Sequence, residues 1–339
     1  MNNSPQLSVL EICAGAGGQS VGLEKAGFTH SLAVEIDVDA ASTLRLNRPE
    51  WDVHTGDVRE ISGTEHRGVD LLAGGVPCPP FSIAGKQLGA DDERDLFPEA
   101  LRLVREARPT AVLLENVKGL ASVRFAPYRQ SILTELDKLG YDSDWKLLNS
   151  SEYGVPQLRP RFILVAMKRR SFKKFEWPLP QQNTPTVGEL LQPLMESGGW
   201  AGANAWALRA NSIAPTVVGG SKKHGGADLG PTRAKAAWLQ LGVDGKGIAN
   251  EPPSPETPLD YTPRLTNQMV ARVQGFPAEW KFSGRKTSVY RQIGNAFPPP
   301  VASAIGNSIA FALGAGRPIE KYDIKAIDES LEKIDRIAS

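Results

Sequence analysis

Between residues 7 and 167 short apolar runs alternate with stretches of helical spacing, and this alternation limits the possible folds more than any other feature of the chain. Residues 7–12 are an apolar run broken by the glycines at 15–18, and 19–26 follow with helical spacing. Residues 32–35 form a second strand candidate ahead of a helical 39–46. Further apolar runs lie at 69–73, 111–114 and 162–166, with helical spacing at 97–107 and 128–139 between them. Strands that are apolar on both faces need cover on both, and strands separated by helices are joined by crossovers. The expectation is an α/β fold built on a parallel sheet covered by helices on both faces.

The pattern changes after Met167. Residues 171–263 are rich in Gly, Pro, Asn and Trp with little periodicity, and 251–263 hold five prolines. Regular spacing resumes at Pro263, predicting helices over 266–274 and 299–313. A last helix is expected over 318–338, where Ile324, Ile327, Leu331, Ile334 and Ile337 recur among charges. A length of 339 residues suits two domains. The reading is a sheet domain in 1–170, a smaller irregular domain in 171–263, and a return to the first domain in 264–339.

Basic and acidic residues number 39 and 38, so contact with a polyanion would have to come from local patterning. Cys13 and Cys78 are the only cysteines, too few for a disulfide framework or a Cys-rich zinc site, and they point to a reducing cytoplasm. No apolar run approaches the ~20 residues of a membrane span. Residues 1–10 lack the basic-then-apolar pattern of a secretory signal. A secreted, membrane or fibrous protein is excluded on these grounds.

Several short segments carry chemistry. The run Cys13-Ala14-Gly15-Ala16-Gly17-Gly18 is a glycine-rich turn between a strand and a helix, where backbone can approach a nucleotide-like ligand. Glu35, at the end of the second strand candidate, can accept both hydroxyls of a ribose. The glycine spacing departs from the dinucleotide fingerprint and favours an adenosine ligand without phosphates. Asp57, followed by Val58, can accept from an adenine amino group, or can equally be a solvated turn aspartate. In Val76-Pro77-Cys78-Pro79 the prolines stiffen the turn and present the thiol as a nucleophile, although a lone cysteine is often buried and inert. Cys13 fits that inert description better. Glu115, at the end of a strand, faces the sheet edge that also holds the glycine turn. Arg159 and Arg161 flank Pro160 and can clamp an anion or a carbonyl, or lie on a solvated basic loop. From Arg159 to Lys174 there are seven basic residues and no acidic ones, a plausible phosphate-binding edge.

In order along the chain, these pieces resemble the DNA (cytosine-5)-methyltransferase family of the bacterial restriction–modification type. The resemblance rests on 14–18, Glu35, Gly56-Asp57, Pro77-Cys78, Glu115-Asn116-Val117 and Gln157-Leu158-Arg159-Pro160-Arg161. After a variable region come Arg264-Leu265-Thr266, Gln274-Gly275-Phe276-Pro277 and Tyr290-Arg291-Gln292-Ile293-Gly294-Asn295. It implies a doubly wound methyltransferase sheet with a small target-recognition domain, and a last segment around Gly294 and Asn295 that completes the cofactor pocket. S-adenosylmethionine is the implied cofactor, held by Cys13, Ala14, Gly15, Gly17, Gly18, Glu35, Ile36, Asp57, Val58, Pro77 and Asn295. Double-stranded DNA is the implied substrate. The enzyme would act as a monomer in the bacterial cytoplasm, with a cognate restriction endonuclease as its functional partner and no membrane association.

The resemblance also implies a mechanism. The Cys78 thiolate adds at carbon 6 of a flipped cytosine, and the resulting enamine-like ring attacks the cofactor's methyl through carbon 5. Glu115 holds a proton against ring nitrogen 3 and Arg161, with Arg159 beside it, binds the ring carbonyl. A base removes the carbon 5 proton, Cys78 leaves, and no metal takes part. Residues 82–97 resemble the family's mobile DNA-closing loop, with Ser82 and Lys86 as DNA contacts and Gly85 and Gly89 as hinges. Thr216-Val217 resembles the marker of the recognition domain. Arg209 is a candidate guanine reader, and Lys222, Lys223, His224 and Arg233 candidate phosphate or base contacts.

Three positions depart from the family pattern: Pro79 stands where Gln is usual, Ile36 where an adenine-stacking aromatic is expected, and Gln268-Met269 where Arg-Glu is common. The alternatives are a transfer-RNA cytosine methyltransferase, a non-catalytic DNA-binding relative and a nicotinamide oxidoreductase using Cys78. A transfer-RNA enzyme usually carries Cys-Phe-Thr and lacks a long recognition insert. Retention of Cys78 and Glu115 speaks against the second, and the glycine spacing against the third.

Overall fold

A computed structural model describes residues 6–77, 95–181, 183–220 and 226–315. The first half runs β1 (Leu7–Ile12), α1 (Gly18–Lys25), β2 (Phe28–Glu35), α2 (Val38–Asn47), β3 (Val53–Thr55), β4 (Leu71–Gly74), α3 (Phe97–Ala107) and β5 (Ala111–Val117). It continues with α4 (Ala126–Lys138), β6 (Tyr141–Asn149), β7 (Pro160–Lys168) and a single turn, α5 (Arg169–Phe172). These strands make one seven-stranded sheet in the order β3-β2-β1-β4-β5-β7-β6. The order reverses between β1 and β4, and in open α/β sheets ligands bind beyond the carboxyl ends of the strands at such a switch point.

Alternation along β1 explains why the sheet is covered twice. Leu7 and Val9 belong to the buried cluster that holds Leu23 of α1 together with Val301 and Ile305, while Leu10 and Ile12 belong to the opposite cluster, which holds Leu103 of α3 and Ile132 of α4. The expectation of parallel pairing holds from β3 to β5. It fails at β7, which runs antiparallel to both β5 and β6. Residues 150–159 between β6 and β7 are too few for the helical crossover a parallel pair requires. β6 escaped the apolar pattern because it is an edge strand carrying Asp142, Asp144 and Lys146.

The direction of β7 corrects one expectation. Arg161 lies beside Val117 at the carboxyl end of β5, whereas Met167 lies beside Ala111 at its start. The strand therefore carries the chain across the sheet by roughly 25 Å at ~3.3 Å per residue. Lys173 and Lys174 sit beyond its far end, away from the switch point, so the basic stretch from Arg159 to Lys174 is not one continuous phosphate-binding edge.

The remaining chain forms α6 (Val187–Glu196), α7 (Ala203–Arg209), α8 (Thr232–Gln240), α9 (Asn267–Val273), α10 (Lys286–Asn295) and α11 (Pro299–Ala312). Three of these helices, α6 to α8, lie in the segment that reads as irregular. α7 and α8 are short and rich in alanine, each with one tryptophan, and α6 carries a proline inside it, which blurs the helical period. α6 opens with a capping box between Thr186 and Glu189. Val187, Trp206 and Trp238 share one apolar cluster with Ala33, Leu44, Leu265 and Val289, so this region packs continuously onto the β2–α2 side of the sheet. The expected helix at 318–338 lies outside the described residues. Among the described residues, no helix is long and apolar enough to cross a membrane.

Candidate active site

Two cavities open at the switch point. The first, about 560 Å³, runs over the turn after β1 and is lined by Cys13, Ala14, Gly15, Ala16 and Gly18. Positive φ at Cys13 (51°), Gly15 (57°) and Gly17 (88°) lets the backbone double back tightly enough to start α1. A Cβ on Gly15 would meet nothing within 4 Å, leaving an open face toward the cavity. Gly17 and Gly18 serve a different purpose. A Cβ on Gly17 would lie 2.6 Å from the Trp280 ring, and one on Gly18 2.3 Å from the Phe297 carbonyl oxygen. Trp280 also donates from Nε1 to the Ala16 carbonyl at 3.0 Å. Sequence reasoning assigned Gly17 to the cofactor; the structure puts it against Trp280 and Leu44, outside the cavity lining.

The end of β2 forms the next wall. Glu35 accepts from the N–H of Gly15 at 2.7 Å through Oε2 and from the N–H of Asp37 at 2.8 Å through Oε1. Burial pushes its carboxyl up, opposed by those two hydrogen bonds. Ile36 beside it is 67% exposed, an apolar surface facing a cavity wall without cover. Asp57 accepts from the N–H of Arg59 at 3.0 Å and pairs with its guanidinium at 2.9 Å, contacts that hold its carboxyl below the usual range. Val58 and Pro77 line the same space, as do Arg291, Gln292 and Asn295 of α10. Burial, with Glu35 and Asp57 nearby, pushes the Cys13 thiol up to about 12, so Cys13 is a neutral wall residue. An apolar cavity with a carboxylate on one wall and an open glycine suits an adenosine-type group.

The second cavity, about 390 Å³, adjoins the first. Gly75, Pro77, Glu115 and Asn295 line both. Its other walls include Asn116, Arg159, Arg161, Thr216, Val218 and Gly294. Glu115 and Arg161 form an ion pair, Nε to Oε1 at 2.5 Å, with side chains 11% and 10% exposed. Burial pulls the Arg161 guanidinium below its ordinary value, and the Glu115 carboxylate opposes this. Asn116 donates to the Val76 carbonyl at 2.8 Å, tying the end of β5 to the turn that precedes Cys78.

The structure thus brings Glu35, Ile36, Asp57, Val58, Pro77, Glu115, Arg159, Arg161, Thr216 and Asn295 to one edge. Cys78, Ser82, Lys86, Lys222, Lys223 and His224 lie outside the described residues, as do Gly85 and Gly89. Arg209 ends α7, exposed and away from both cavities. The motif containing Tyr290-Arg291-Gln292 signalled the last cavity wall, but nothing in the sequence signalled Asp37 or Trp280.

Residues 7–310 match the model of the C-5 cytosine-specific DNA methylases. The chain belongs to this family. It is 61% identical to the Type II methyltransferase M.NaeI of Lentzea aerocolonigenes, across 92% of this chain and 77% of that one. It is 53% identical to the Type II methyltransferase M.NgoMIV of Neisseria gonorrhoeae, across 91% and 98%. Among solved structures it superposes with TM-score 0.64 and 25% identity on one assigned as a DNA modification methyltransferase of an Escherichia coli prophage, covering 91% and 99%. This C-5 cytosine DNA methylase has the methyltransferase form of the Rossmann-like sheet and is a DNA (cytosine-5)-methyltransferase. The transfer-RNA, non-catalytic and oxidoreductase alternatives find less support.

Proposed function

We propose that this methylase modifies one cytosine within a specific duplex sequence, uses S-adenosylmethionine, and protects DNA from a cognate restriction endonuclease. The observation that carries the reading is the junction of two cavities at Gly75, Pro77, Glu115 and Asn295. One has the lining of an adenosine site; the other is flanked by a buried carboxylate–guanidinium pair.

Bound in the first cavity, S-adenosylmethionine supplies an electrophilic methyl group. Glu35 keeps lone pairs for the ribose hydroxyls, Ile36 packs on the adenine, and Asp57 accepts from its amino group. Ala14, Gly15 and Gly18 offer close backbone, with Cys13, Val58, Pro77 and Asn295 closing the walls. In the second cavity Glu115 holds a proton at ring nitrogen 3 of the flipped cytosine, and Arg161 donates to its carbonyl oxygen. Cys78, the residue after Pro77, would add at carbon 6 and make carbon 5 nucleophilic; carbon 5 would take the methyl group with S-adenosylhomocysteine as the leaving group, and transfer of the carbon 5 proton to a base as the thiolate departs would restore the ring.

Residues 171–263 choose the sequence, while 1–170 and 264–339 perform the reaction. Arg209 reads a base edge, Thr216 and the nearby Lys222 and Lys223 follow the strand, and Ser82 and Lys86 contact DNA from the segment after Cys78. The enzyme works as a monomer in the bacterial cytoplasm.

The test is bisulfite sequencing of host DNA after expression, together with Cys78→Ala. One fixed context should be methylated, the variant should lose methylation but keep DNA binding, and wild type should trap DNA containing 5-fluorocytosine. Methylation by Cys78→Ala would overturn the mechanism. Replacing Arg209 by Ala should relax one position of the preferred site in a randomised pool, since a bidentate arginine–guanine pair gives ~1–3 kcal/mol of discrimination. An unchanged site with lower yield would remove Arg209 as a base reader.

A further inference from the structure

Arg159 is 1% exposed, yet among the described residues no carboxylate is bonded to its guanidinium. Its terminal donors go chiefly to main-chain carbonyls, Nη1 to Val217 at 2.6 Å and Nη2 to Gly294 at 2.8 Å and to Ala296 at 3.0 Å, with a longer contact of 3.5 Å from Nη1 to the Gln157 side-chain oxygen. Its Nε is shut off from solvent and has no hydrogen-bond partner among the described residues. Two segments distant in sequence, around 217 and around 295, therefore meet on one side chain.

The residues around it brace the same junction. Gln157 accepts from the Val217 N–H at 2.8 Å, so both polar groups of that residue's backbone are held by side chains. Gln157 donates to Gln274 at 2.8 Å, and Gln274 donates to the Ala296 carbonyl at 2.6 Å. The two backbones cross where no side chain fits. A Cβ on Gly294 would stand 2.4 Å from Gly219 Cα, and one on Gly219 2.5 Å from Asn295 Oδ1. Thr216, Val217, Val218, Gly219, Gly294 and Asn295 all line the second cavity.

We infer that Arg159 is a positioning residue: it fixes the shape of the base pocket by tying the 216–219 segment to the 294–296 segment, and it does not touch the base. The inference rests on the second cavity being that pocket. A planar fork can hold three carbonyls at once, which an ammonium on a flexible stem cannot do with the same geometry. The tie also joins the 216–219 segment, inside the region 171–263, to the neighbourhood of Asn295, which lines both cavities. Arg159 thus differs in role from Arg161, only two residues away, whose guanidinium faces Glu115.

The experiment uses the full chain, the DNA site found by bisulfite sequencing, and 2-aminopurine in place of the target base for the fluorescence arm. Arg159→Lys should lower kcat at least tenfold with the KM for DNA changed less than threefold. The 2-aminopurine should still brighten on binding, but with a broader lifetime distribution than in wild type, because the base enters a looser pocket. A role confined to overall stability would leave the lifetimes of the folded enzyme unchanged, and that result overturns the inference. Losses in Arg159→Lys and Gln157→Ala should be less than multiplicative when combined, whereas Arg159→Lys and Arg161→Lys should multiply. Coupling to Arg161 instead of Gln157 would place Arg159 on the base and also overturn it. If Arg159→Lys fails to fold, Gln157→Ala alone should show the kcat loss at steady KM, and a wild-type kcat there counts against the tie. Val218→Trp separates this inference from the reading beneath it: full activity in that variant would mean that the second cavity is not the base pocket.

Discussion

Glu115 on β5 and Arg161 on β7 stand diagonally across an antiparallel pair in which Val117 faces Arg161 and Glu115 faces Ile163. Their side chains close to 2.5 Å, joining a strand that ends at the switch point to one that begins there. Glu115→Gln should therefore do two separable things. It should abolish methyl transfer, and it should leave Arg161 as an uncompensated charge, destabilising the fold by about 3–5 kcal/mol. Adding Arg161→Met should restore most of the stability and none of the activity. Urea denaturation and labelled-methyl transfer read the two effects; a double variant no more stable than the single one would place the instability elsewhere.

Cys13 makes a pH prediction with a definite sign. Its thiol is raised from 9.0 to about 12 in the folded protein. Between those values the unfolded chain has lost the proton that the native state keeps, so the native state loses stability as pH rises. The slope approaches ~1.4 kcal/mol per pH unit for one group. Below pH 9 the term vanishes. Cys13→Ala should flatten the stability curve from about pH 9 upward, measured by denaturant midpoints, and the wild-type thiol should resist alkylation at pH 8. An identical alkaline slope in the variant would assign the effect to other groups.

Glu35 holds the Gly15 and Asp37 amides, and in the proposed cofactor site it also faces the ribose. Glu35→Ala should weaken S-adenosylmethionine binding by about 1.5–3 kcal/mol, as for hydrogen bonds to a charged group. Glu35→Gln keeps one acceptor oxygen and should lose less. Calorimetry decides, and unchanged affinity in Glu35→Ala would move the ribose elsewhere.

Trp280 braces the glycine turn through one N–H and the face of its ring. Trp280→Phe removes the bond to Ala16 while leaving an aromatic ring, so cofactor affinity should fall threefold to tenfold, about 0.5–1.5 kcal/mol for one neutral hydrogen bond. The KM for DNA should stay within twofold of wild type. Gly17→Ala puts a methyl into that ring at a positive φ and should be the more damaging change, visible as a lower Tm. If both variants bind cofactor as wild type does, the turn does not depend on Trp280.

The wall of the first cavity was legible in the sequence because a strand, a glycine turn and a carboxylate at the next strand end are local features. Gly15, Glu35 and Ile36 all line that cavity, and their part in holding a cofactor is the proposal made above. The packing of Trp280 against Gly17 was not legible, since no local pattern announces a contact from so far along the chain. β6 was missed because an edge strand with aspartates has no apolar run. Lys173 and Lys174 were misplaced because charge spacing carries no information about strand direction. The setting of Arg159 among three carbonyl groups could not be read at all: main-chain acceptors look the same in every sequence.

The bond from Trp280 to Ala16 spans 264 positions, and that between Thr43 and Gln292 spans 249. A ribosome making this protein releases the glycine turn and Glu35 early, with the opposite side of their cavity still untranslated. Contacts of such long separation form late and slowly. The growing chain cannot close this cavity until the segment from Trp280 to Gln292 has been made. Nonsense fragments that stop before Trp280 should then be inert, so no half-made copy can mark DNA.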